Sequence, residues 1–441
     1  MSRRRCQAGF TLVELTVALV AGLIVALAIT GLSREATRTF HEEVRSSAAE
    51  ATLRTAVDRL RADLQRASYM STPNVVWDPR LAGPVGNVGI PTNAKAAIQR
   101  LAGIHLLQGW SAANNAIPLS ASQPNPLTPD AIEIAGNMTC AEQFEIQNIQ
   151  QVGTCKQLML SATSPALFRI NAVGPTGNAN EFNNVFQPDG VHQFIVRLLD
   201  DTGRTQYLPT CPGAGAATGF VGTTPFVSVS ILENDIIAPT ATSGQGGITS
   251  TPGGRAWVNP VSVVRWQIID AAHEPAQYGS ALGRQSVAGD GGVDSTKYDL
   301  IRSYVDATGA VVDATTEVLA EYAVDLKFAF SVESGTSLSP AQTSFVFDDT
   351  ANQNRADNVL TTPATQPQHI RSVRVRVATR TAQADRTLNI PVNNSNTAAG
   401  TFLYRYCVLP PCTPPGDSTL RWARARTLTT EVSLPNQGIY F

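Results

Sequence analysis

The sequence predicts an α+β protein in which one long N-terminal helix precedes a large, mostly antiparallel β domain. Residues 10–32 carry a single charge, and apolar residues recur at helical spacing from Leu53 to Ala67. Beyond residue 130, short β-rich runs alternate with clusters of glycine, proline, asparagine and aspartate, a pattern typical of strands joined by turns. These observations together indicate a helical N-terminus followed by a β-rich remainder.

The first part of the predicted helix is long and apolar enough to cross a membrane. Residues 10–32 match the roughly 20 residues that a helix needs to span about 30 Å of hydrocarbon. Arginines occupy positions 3–5, and Glu14 lies inside the run. A carboxylate in a membrane span is costly to desolvate, so we expect Glu14 to have a partner. An ordinary secretory signal, cleaved near Ala26-Leu27-Ala28, is the alternative, although acids are disfavoured in its apolar region.

The hydrophobic pattern extends the helix beyond this apolar run. One face carries apolar residues at i, i+4, i+7, i+11 and i+14, namely Leu53, Val57, Leu60, Leu64 and Ala67. The first proline is Pro73, so we expect one helix from Phe10 to Tyr69, about 90 Å long. A break near Gly31 and Ser33 is the alternative. Small residues spaced by four after Glu14 would let neighbouring helices pack closely: Ala18, Gly22, Ala26 and Thr30.

The segment Gly9-Phe10-Thr11-Leu12-Val13-Glu14-Leu15, placed after a short basic leader, resembles the class III leader of type IV pilins and type II secretion pseudopilins. The resemblance implies cleavage by prepilin peptidase between Gly9 and Phe10 and methylation of the new Phe10 amine. It also implies that Glu14 pairs with the N-terminal amine of a neighbouring pilin or minor pilin subunit. Such a pair is physically reasonable because opposite charges in a low-dielectric core offset each other's burial cost.

The domain organisation that follows is type IV pilin-like. We expect a leader at 1–9, a transmembrane and filament-core helix at 10–32, an amphipathic second half of this helix at 33–70, and an exported β-rich head at 71–441 with a loop-rich insertion at about 82–254. The head also resembles the larger minor pilins of the PilW kind and the J-type minor pseudopilins. This resemblance rests on four segments in this order: Val263-Val264-Arg265-Trp266, Tyr298-Asp299-Leu300-Ile301-Arg302, Leu319-Ala320-Glu321-Tyr322-Ala323-Val324 and a later arginine-rich strand.

Strands and turns are predicted from alternation and turn residues. Hairpin turns are expected at Asp201-Thr202-Gly203 and Ala307-Thr308-Gly309, and loops at 210–254 and 271–295. A short helix is expected near Ala94 to Leu101. The predicted strands are Ala131 to Ile134, Gln157 to Ala162, Gln193 to Leu199, Phe226 to Leu232, Ser262 to Ile269, Tyr298 to Val305, Val318 to Val332 and Ile370 to Thr379. The last strand alternates apolar residues with arginines up to Arg380, which predicts a solvated basic face.

The cysteines predict structural disulfides. Cys6 belongs to the leader, which leaves five cysteines in an exported, oxidising setting. The pairs nearest in sequence are Cys140 with Cys155 and Cys407 with Cys412, which would leave Cys211 unpaired, although spacing does not fix the connectivity. The chain lacks a Cys-x-x-Cys pair and its histidines lie apart from the cysteines, so no metal site is predicted there.

The composition and motifs favour assembly over catalysis. The net charge of −2 lacks the basic excess of a nucleic-acid-binding protein. The chain has no Gly-x-Ser-x-Gly, His-Glu-x-x-His, dinucleotide or phosphate-loop pattern, so we expect neither an enzyme nor a cofactor. Asp290-Gly291-Gly292-Val293-Asp294 with Asp299 offers oxygen ligands, but its spacing does not match a calcium loop, and solvated turn carboxylates are the preferred interpretation.

The expected function is that of a minor subunit of a type IV pilus that primes or caps the filament. Its partners would be other pilin subunits, prepilin peptidase and the pilus assembly platform in the inner membrane. The protein would be anchored there by one span, with its C-terminal domain exported, until it enters the filament. The alternatives are a J-type minor pseudopilin of a type II secretion system, a pilus-tip adhesin and a membrane-anchored exported enzyme.

Overall fold

The structure is a computed structural model that describes residues 11–81, 94–109, 129–170, 179–213, 215–230, 255–270, 297–336, 339–344, 347, 367–384, 405–408 and 422–437. The chain divides into two compact units, Met1–Ala51 and Thr52–Phe441. The helices are α1 (Leu12–Gln65), α2 (Ala96–Gln99), α3 (Pro165–Arg169) and α4 (Ala179–Phe186). Short 3₁₀ turns occur at Val75–Trp77, Asp313–Thr315 and Pro367–His369.

The strands are β1 (Ile104–Leu107), β2 (Ala131–Gly136), β3 (Phe144–Val152), β4 (Cys155–Leu160), β5 (Ile195–Asp200), β6 (Thr205–Pro209), β7 (Thr218–Val221), β8 (Thr224–Ser230), β9 (Ala256–Asp270), β10 (Tyr298–Val305), β11 (Glu317–Glu321), β12 (Ala323–Thr336), β13 (Ser339–Ser344), β14 (Ile370–Arg380), β15 (Arg405–Cys407) and β16 (Trp422–Ser433). Every ladder between these strands is antiparallel. The predicted α+β class with a long N-terminal helix and a mostly antiparallel β domain is therefore confirmed.

Helix α1 is continuous, as predicted, with no break at Gly31 or Ser33. It ends at Gln65, four residues before the predicted end. The chain leaves the helix through a tight turn in which Ser68 and Met70 have φ angles of 62° and 52°, values that L-residues seldom adopt and that cannot continue a helix. Asn436 donates a hydrogen bond from Nδ2 to the carbonyl oxygen of Gln65 at 2.9 Å, which satisfies one of the open carbonyls at the helix end.

Strand β9 connects the two halves of the larger, 11-stranded sheet. Its first part, up to Val261, pairs with β3 and β5, and its second part pairs with β2 and β10. On one side the partner changes from β3, whose ladder ends at Val258, to β2, whose ladder begins at Ser262. Pro260 lies in this gap, a position that tolerates a residue without a backbone N–H. Among the described residues, the smaller sheet has five strands in the order β13-β12-β14-β16-β15.

The head contains two main apolar cores. The first contains the buried face of α1 from Leu53 to Ala67 and residues of both sheets, among them Trp266, Phe328 and Val375. The second is formed by β3 to β8 and the start of β9 with α3 and α4, and it is centred on three aromatic rings, Phe144, Phe182 and Phe186. A smaller apolar cluster surrounds Tyr207 on β6. The second core lies entirely within the segment 129–258, so a large part of the predicted insertion is an ordered β lobe.

All eight predicted strand segments overlap observed strands, with two corrections. The run from Val318 to Val332 is two strands, because Tyr322 has a φ of 57° and breaks the extended backbone between β11 and β12. The predicted solvated basic face of β14 is wrong at Arg376 and Arg380, which are buried. The Nε atom of Arg376 donates to Oδ2 of Asp325 at 2.7 Å, and Arg380 lies over the ring of Tyr322. These partners offset the cost of burying the two charges.

Candidate assembly helix and its anchor

The first turn of α1 is closed by a capping box. Thr11 is the N-cap residue, and its Oγ1 accepts a hydrogen bond from the backbone N–H of Glu14 at 3.3 Å. In return, Oε2 of Glu14 accepts from the backbone N–H and the hydroxyl of Thr11, each at 3.0 Å. The Thr-x-x-Glu spacing satisfies helix N-terminal donors reciprocally. Glu14 therefore starts the helix in addition to any role between subunits.

The apolar part of α1 is exposed within its own unit. Its large apolar side chains between Leu12 and Leu32 are 56% to 79% exposed. An 18-residue stretch of this helix has a mean hydropathy of 2.6, and none of its residues is buried. By length and composition the helix can therefore cross a membrane. Along the small-residue stripe, a methyl group added at Gly22 would meet no atom within 4 Å. Such a surface needs either lipid or other helices to cover it.

The second part of α1 is anchored to the sheet by its apolar face, as predicted. Leu53, Val57, Leu60 and Leu64 are each at most 5% exposed, and they belong to the first core together with buried residues of both sheets. Burying an aliphatic side chain of this size contributes about 1.5–3 kcal/mol. The helix end is therefore a structural part of the head.

A buried acid on the same helix end adds a polar anchor that the sequence analysis did not identify. Trp266 and Arg302 are direct cross-strand partners on β9 and β10. Both reach Asp63: Trp266 donates from Nε1 to Oδ2 at 3.0 Å, and Arg302 donates from Nε to the same oxygen at 2.7 Å. Burial lowers the pKa of Arg302, but the charge and hydrogen bond of Asp63 outweigh this and raise the pKa above its ordinary value.

A second buried charge cluster joins three neighbouring strands. His105, Glu133 and Arg265 lie opposite one another on β1, β2 and β9. Glu133 forms a 3.0 Å contact between Oε2 and Nδ1 of His105, and its Oε1 accepts from Nε of Arg265 at 3.0 Å. Burial raises the pKa of Glu133, but the hydrogen bond with His105 and the charge of Arg265 lower it to about 2. This cluster stabilises the sheet on which α1 packs.

The predicted disulfide between Cys140 and Cys155 is wrong. Cys155 is bonded to Cys211, with Cα atoms 6.0 Å apart, and Cys140 carries a free thiol. The reason is the placement of β8, because Cys155 on β4 lies opposite Ser230, while the backbone N–H of Cys211 donates to the carbonyl oxygen of Ser228 at 2.9 Å. Two positions 56 residues apart in sequence thus meet beside one strand.

The free thiol of Cys140 is partly buried beside the amide of Asn137. Burial is the main cause that raises the pKa of this thiol. A thiol with a raised pKa is a weak nucleophile. Cys140 is therefore suited to packing more than to reaction.

The remaining predicted site residues lie largely outside the described residues. This holds for Gly9, Phe10, Cys412, the side chain of Cys407 and the segment 290–294. The preferred interpretation as a solvated carboxylate is wrong at Asp299, which is buried. It accepts the backbone N–H of Tyr322 at 3.1 Å and pairs with Nζ of Lys297 at 3.2 Å. Its carboxylate therefore holds the junction of β11 and β12. Among the described residues, no group of histidine, cysteine, aspartate and glutamate side chains is arranged to hold a metal ion.

The N-terminal geometry agrees with a comparison to known families. The chain carries a prokaryotic N-terminal methylation motif. The match covers residues 4–30, which include most of the basic leader, the capping box and most of the apolar run. This prepilin-type leader supports a structural subunit of the type IV pilin-like kind, processed by prepilin peptidase and assembled with pilin subunits in a membrane machinery. The apolar helix fits a single-pass membrane anchor.

Two further comparisons find no counterpart for the chain as a whole. No curated protein and no solved structure matches it. The methylation motif ends at residue 30, so it carries no information on the head of this protein.

Two features of the site could have been found in the sequence. The capping box is visible as Thr11 followed three residues later by Glu14. Asp63 lies next to Leu64 on the apolar face, and an acid inside a buried stripe indicates a buried partner. The pairing of Cys155 with Cys211 has no such signal, because it depends on how β8 is placed between distant segments.

Proposed function

We propose that this pilin-like protein is a minor subunit of a type IV pilus that assembles through α1 and primes or caps the filament. The observation that carries the proposal is the position of Glu14. It is a carboxylate in the first turn of an exposed apolar helix, and it lies within the methylation motif at residues 4–30. An acid in such a place requires a cationic partner once the helix is covered.

The hydrogen bonds of Glu14 leave room for that partner. Thr11 donates both of its hydrogen bonds to Oε2, whereas among the described residues nothing donates to Oε1. An ionised carboxylate has about four lone-pair sites. The methylated amine of Phe10 on a neighbouring subunit would use the open oxygen while the capping box stays intact.

The size of the head supports a low copy number. The lobe around Phe144, Phe182 and Phe186 adds a second core to the sheet that anchors α1. A subunit with so much additional volume would crowd a densely repeated lattice. The end of a filament has space for it on at least one side, so a priming or capping position is favoured over a repeated one.

Quantitative mass spectrometry of purified filaments tests the proposal. We expect trace amounts of this protein relative to the main pilin, and loss of pili when its gene is deleted. A stoichiometry near that of the main subunit would reject the minor-subunit assignment. A secretin gene beside this one, without a retraction ATPase gene, would instead identify a J-type pseudopilin of a type II secretion system.

Processing gives an independent test of the leader. We expect N-terminal mass spectrometry to find a methylated Phe10 as the first residue of the mature protein. Replacement of Gly9 by leucine should leave an uncleaved precursor that still inserts into the membrane. A mature protein that begins at Ile29 would show that the segment acts as an ordinary secretory signal.

A further inference from the structure

The turn that follows α1 has a backbone conformation that its own residues disfavour. Ser68 and Met70 have φ angles of 62° and 52°, in the left-handed region where glycine is the usual residue after a helix. A residue with a Cβ atom is strained there. Residues 66–70 contain neither glycine nor proline, and the sequence pattern continues the helix to Tyr69. The local sequence therefore does not select this turn, and contacts from elsewhere in the head must hold it.

One set of these contacts comes from strand β2. The backbone N–H of Ser68 donates to the carbonyl oxygen of Ala135 at 2.8 Å. The next residue of the strand is Gly136, where an added Cβ atom would lie only 2.3 Å from the carbonyl oxygen of Arg66. Such a close approach of two backbones requires a glycine. The turn is therefore pressed directly against the strand.

A second set of contacts comes from the segment Leu434–Gln437, which follows β16 and which we name the clamp segment. The backbone N–H of Leu434 donates to the carbonyl oxygen of Arg371 on β14 at 2.9 Å, so the clamp segment is fixed to the smaller sheet. Two residues later, Nδ2 of Asn436 donates to the carbonyl oxygen of Gln65 at 2.9 Å. The clamp segment thus connects the smaller sheet to the last residue of α1.

The clamp segment and the strained turn also meet at one buried point beside Gly103. A Cβ atom added at this glycine would lie 2.0 Å from Oγ of Ser68 and 2.3 Å from Nε2 of Gln437. Both of these side chains are buried. The absence of a side chain at Gly103 therefore lets the turn and the clamp segment occupy the same small space.

We propose that residues 66–71 form a strained hinge at the head end of α1, and that the clamp segment keeps this hinge closed. Strained backbone conformations persist only where the surrounding structure enforces them. When the clamp segment is displaced, the turn opens and the end of α1 loosens from β2, while the strands of both sheets stay paired. This conformational device is independent of the filament role proposed above.

Hydrogen–deuterium exchange of the full-length protein in detergent tests the clamp. Asn436→Asp keeps the size of the side chain but replaces the donor to Gln65 with a carboxylate that repels its carbonyl oxygen. We expect amides of residues 66–71 to exchange about tenfold faster or more, since a hydrogen bond is lost and a repulsion is added. Peptides from β9 and β14 should exchange as in the wild type. Ser433→Ala, at an exposed neighbouring position, is the matched control.

Thermal unfolding tests the strain. Ser68→Gly removes the Cβ atom at a left-handed position, and no group among the described residues forms a hydrogen bond with the lost hydroxyl. We expect the midpoint of unfolding to rise by about 2 °C. Ala62→Gly, at an exposed position within α1, should lower it by about the same amount, because glycine destabilises a regular helix.

Two results would overturn the proposal. One is exchange of residues 66–71 in Asn436→Asp at the rate of the Ser433→Ala control, because the clamp segment would then not hold the turn. The other is a lowered unfolding midpoint for Ser68→Gly like that of Ala62→Gly, because the turn would then store no strain.

Discussion

Two acidic residues of α1, Glu14 and Asp63, each have two roles. Glu14 closes the first helical turn through Thr11 and is also the acid expected to meet a neighbouring amine. Asp63 is part of the helix surface, yet it accepts hydrogen bonds from two residues of the sheet. In both cases an acid in an apolar stripe is stable only because specific donors surround it.

At Glu14, charge and capping can be separated by substitution. Glu14→Gln keeps a residue that can form a capping box, whereas Glu14→Ala removes both functions. We expect both variants to enter the membrane and neither to enter filaments, because the subunit amine loses its counter-charge. Immunoblots of membrane and sheared-filament fractions measure this, with the exposed Glu43→Gln on the same helix as control. Normal filament recovery of Glu14→Gln would show that the cap, and not the charge, matters.

The disulfide between Cys155 and Cys211 should stabilise the head substantially. Closing a loop of this length restricts the unfolded chain, so we expect Cys211→Ser to lower the free energy of unfolding by about 2–4 kcal/mol. Cys140→Ser should change it far less, since that thiol is unpaired. Denaturant unfolding of the full chain in detergent measures the difference. A non-reducing peptide map that links Cys140 to Cys155 would contradict the assignment.

Glu133 should make stability depend on acid pH. Its folded pKa of about 2 lies below the ordinary value of 4.5, so its contribution is complete above pH 4.5 and is lost as the pH falls toward 2. The shift corresponds to a contribution on the order of 3 kcal/mol. Between pH 6 and pH 2, the free energy of unfolding should therefore fall more steeply with pH for the wild type than for Glu133→Gln. Parallel curves for the two proteins would argue against this role.

At the scale of the element, α1 combines two kinds of helix surface. Its first half is apolar and exposed, while residues 53–64 present an apolar stripe that is buried in the head. No proline interrupts residues 12–65, and the helix is continuous over this range. A change at the anchored end should therefore disturb the head without changing membrane insertion.

Asp63 provides the test of that anchor. Asp63→Asn removes the charge opposite Arg302, and breaking a buried pair typically costs about 3–5 kcal/mol. We expect a lower midpoint of thermal unfolding and unchanged recovery in the membrane fraction. Asp58→Asn, an exposed position one and a half turns earlier, is the matched control. Equal midpoints for the two variants would mean that the apolar stripe alone holds the helix.

At the scale of the whole molecule, the compact unit Thr52–Phe441 contains all the sheets and cores of the described chain. The exposed apolar run of α1 belongs to the other unit. This division separates a membrane-compatible segment from a head with its own cores.

The head should accordingly be soluble without the apolar run. We expect residues 34–441, expressed in an oxidising compartment, to remain monodisperse in size-exclusion chromatography without detergent and to show no hydrolase activity. The full chain, which keeps the exposed apolar residues, should require detergent under the same conditions. Aggregation of the fragment with its disulfide intact would contradict the prediction.

Local patterns in the sequence determined the helix, its apolar and amphipathic halves, the acid at Glu14 and most of the strands. These features depend on residues close in sequence, where helical or alternating spacing is visible directly. Strand β16 was missed because two of its buried positions, Ala423 and Ala425, are small and give little hydrophobic signal between the buried Trp422 and Val432.

Only the tertiary structure decided which distant residues meet. The pairing of Cys155 with Cys211, the burial of Arg376 and the contact of Asp63 with Trp266 all depend on strand order. Strand order is set by the packing of many side chains across long sequence separations, which no local pattern records. The sequence alone therefore determined the apolar N-terminal helix, and the fold decided which distant side chains meet in the head.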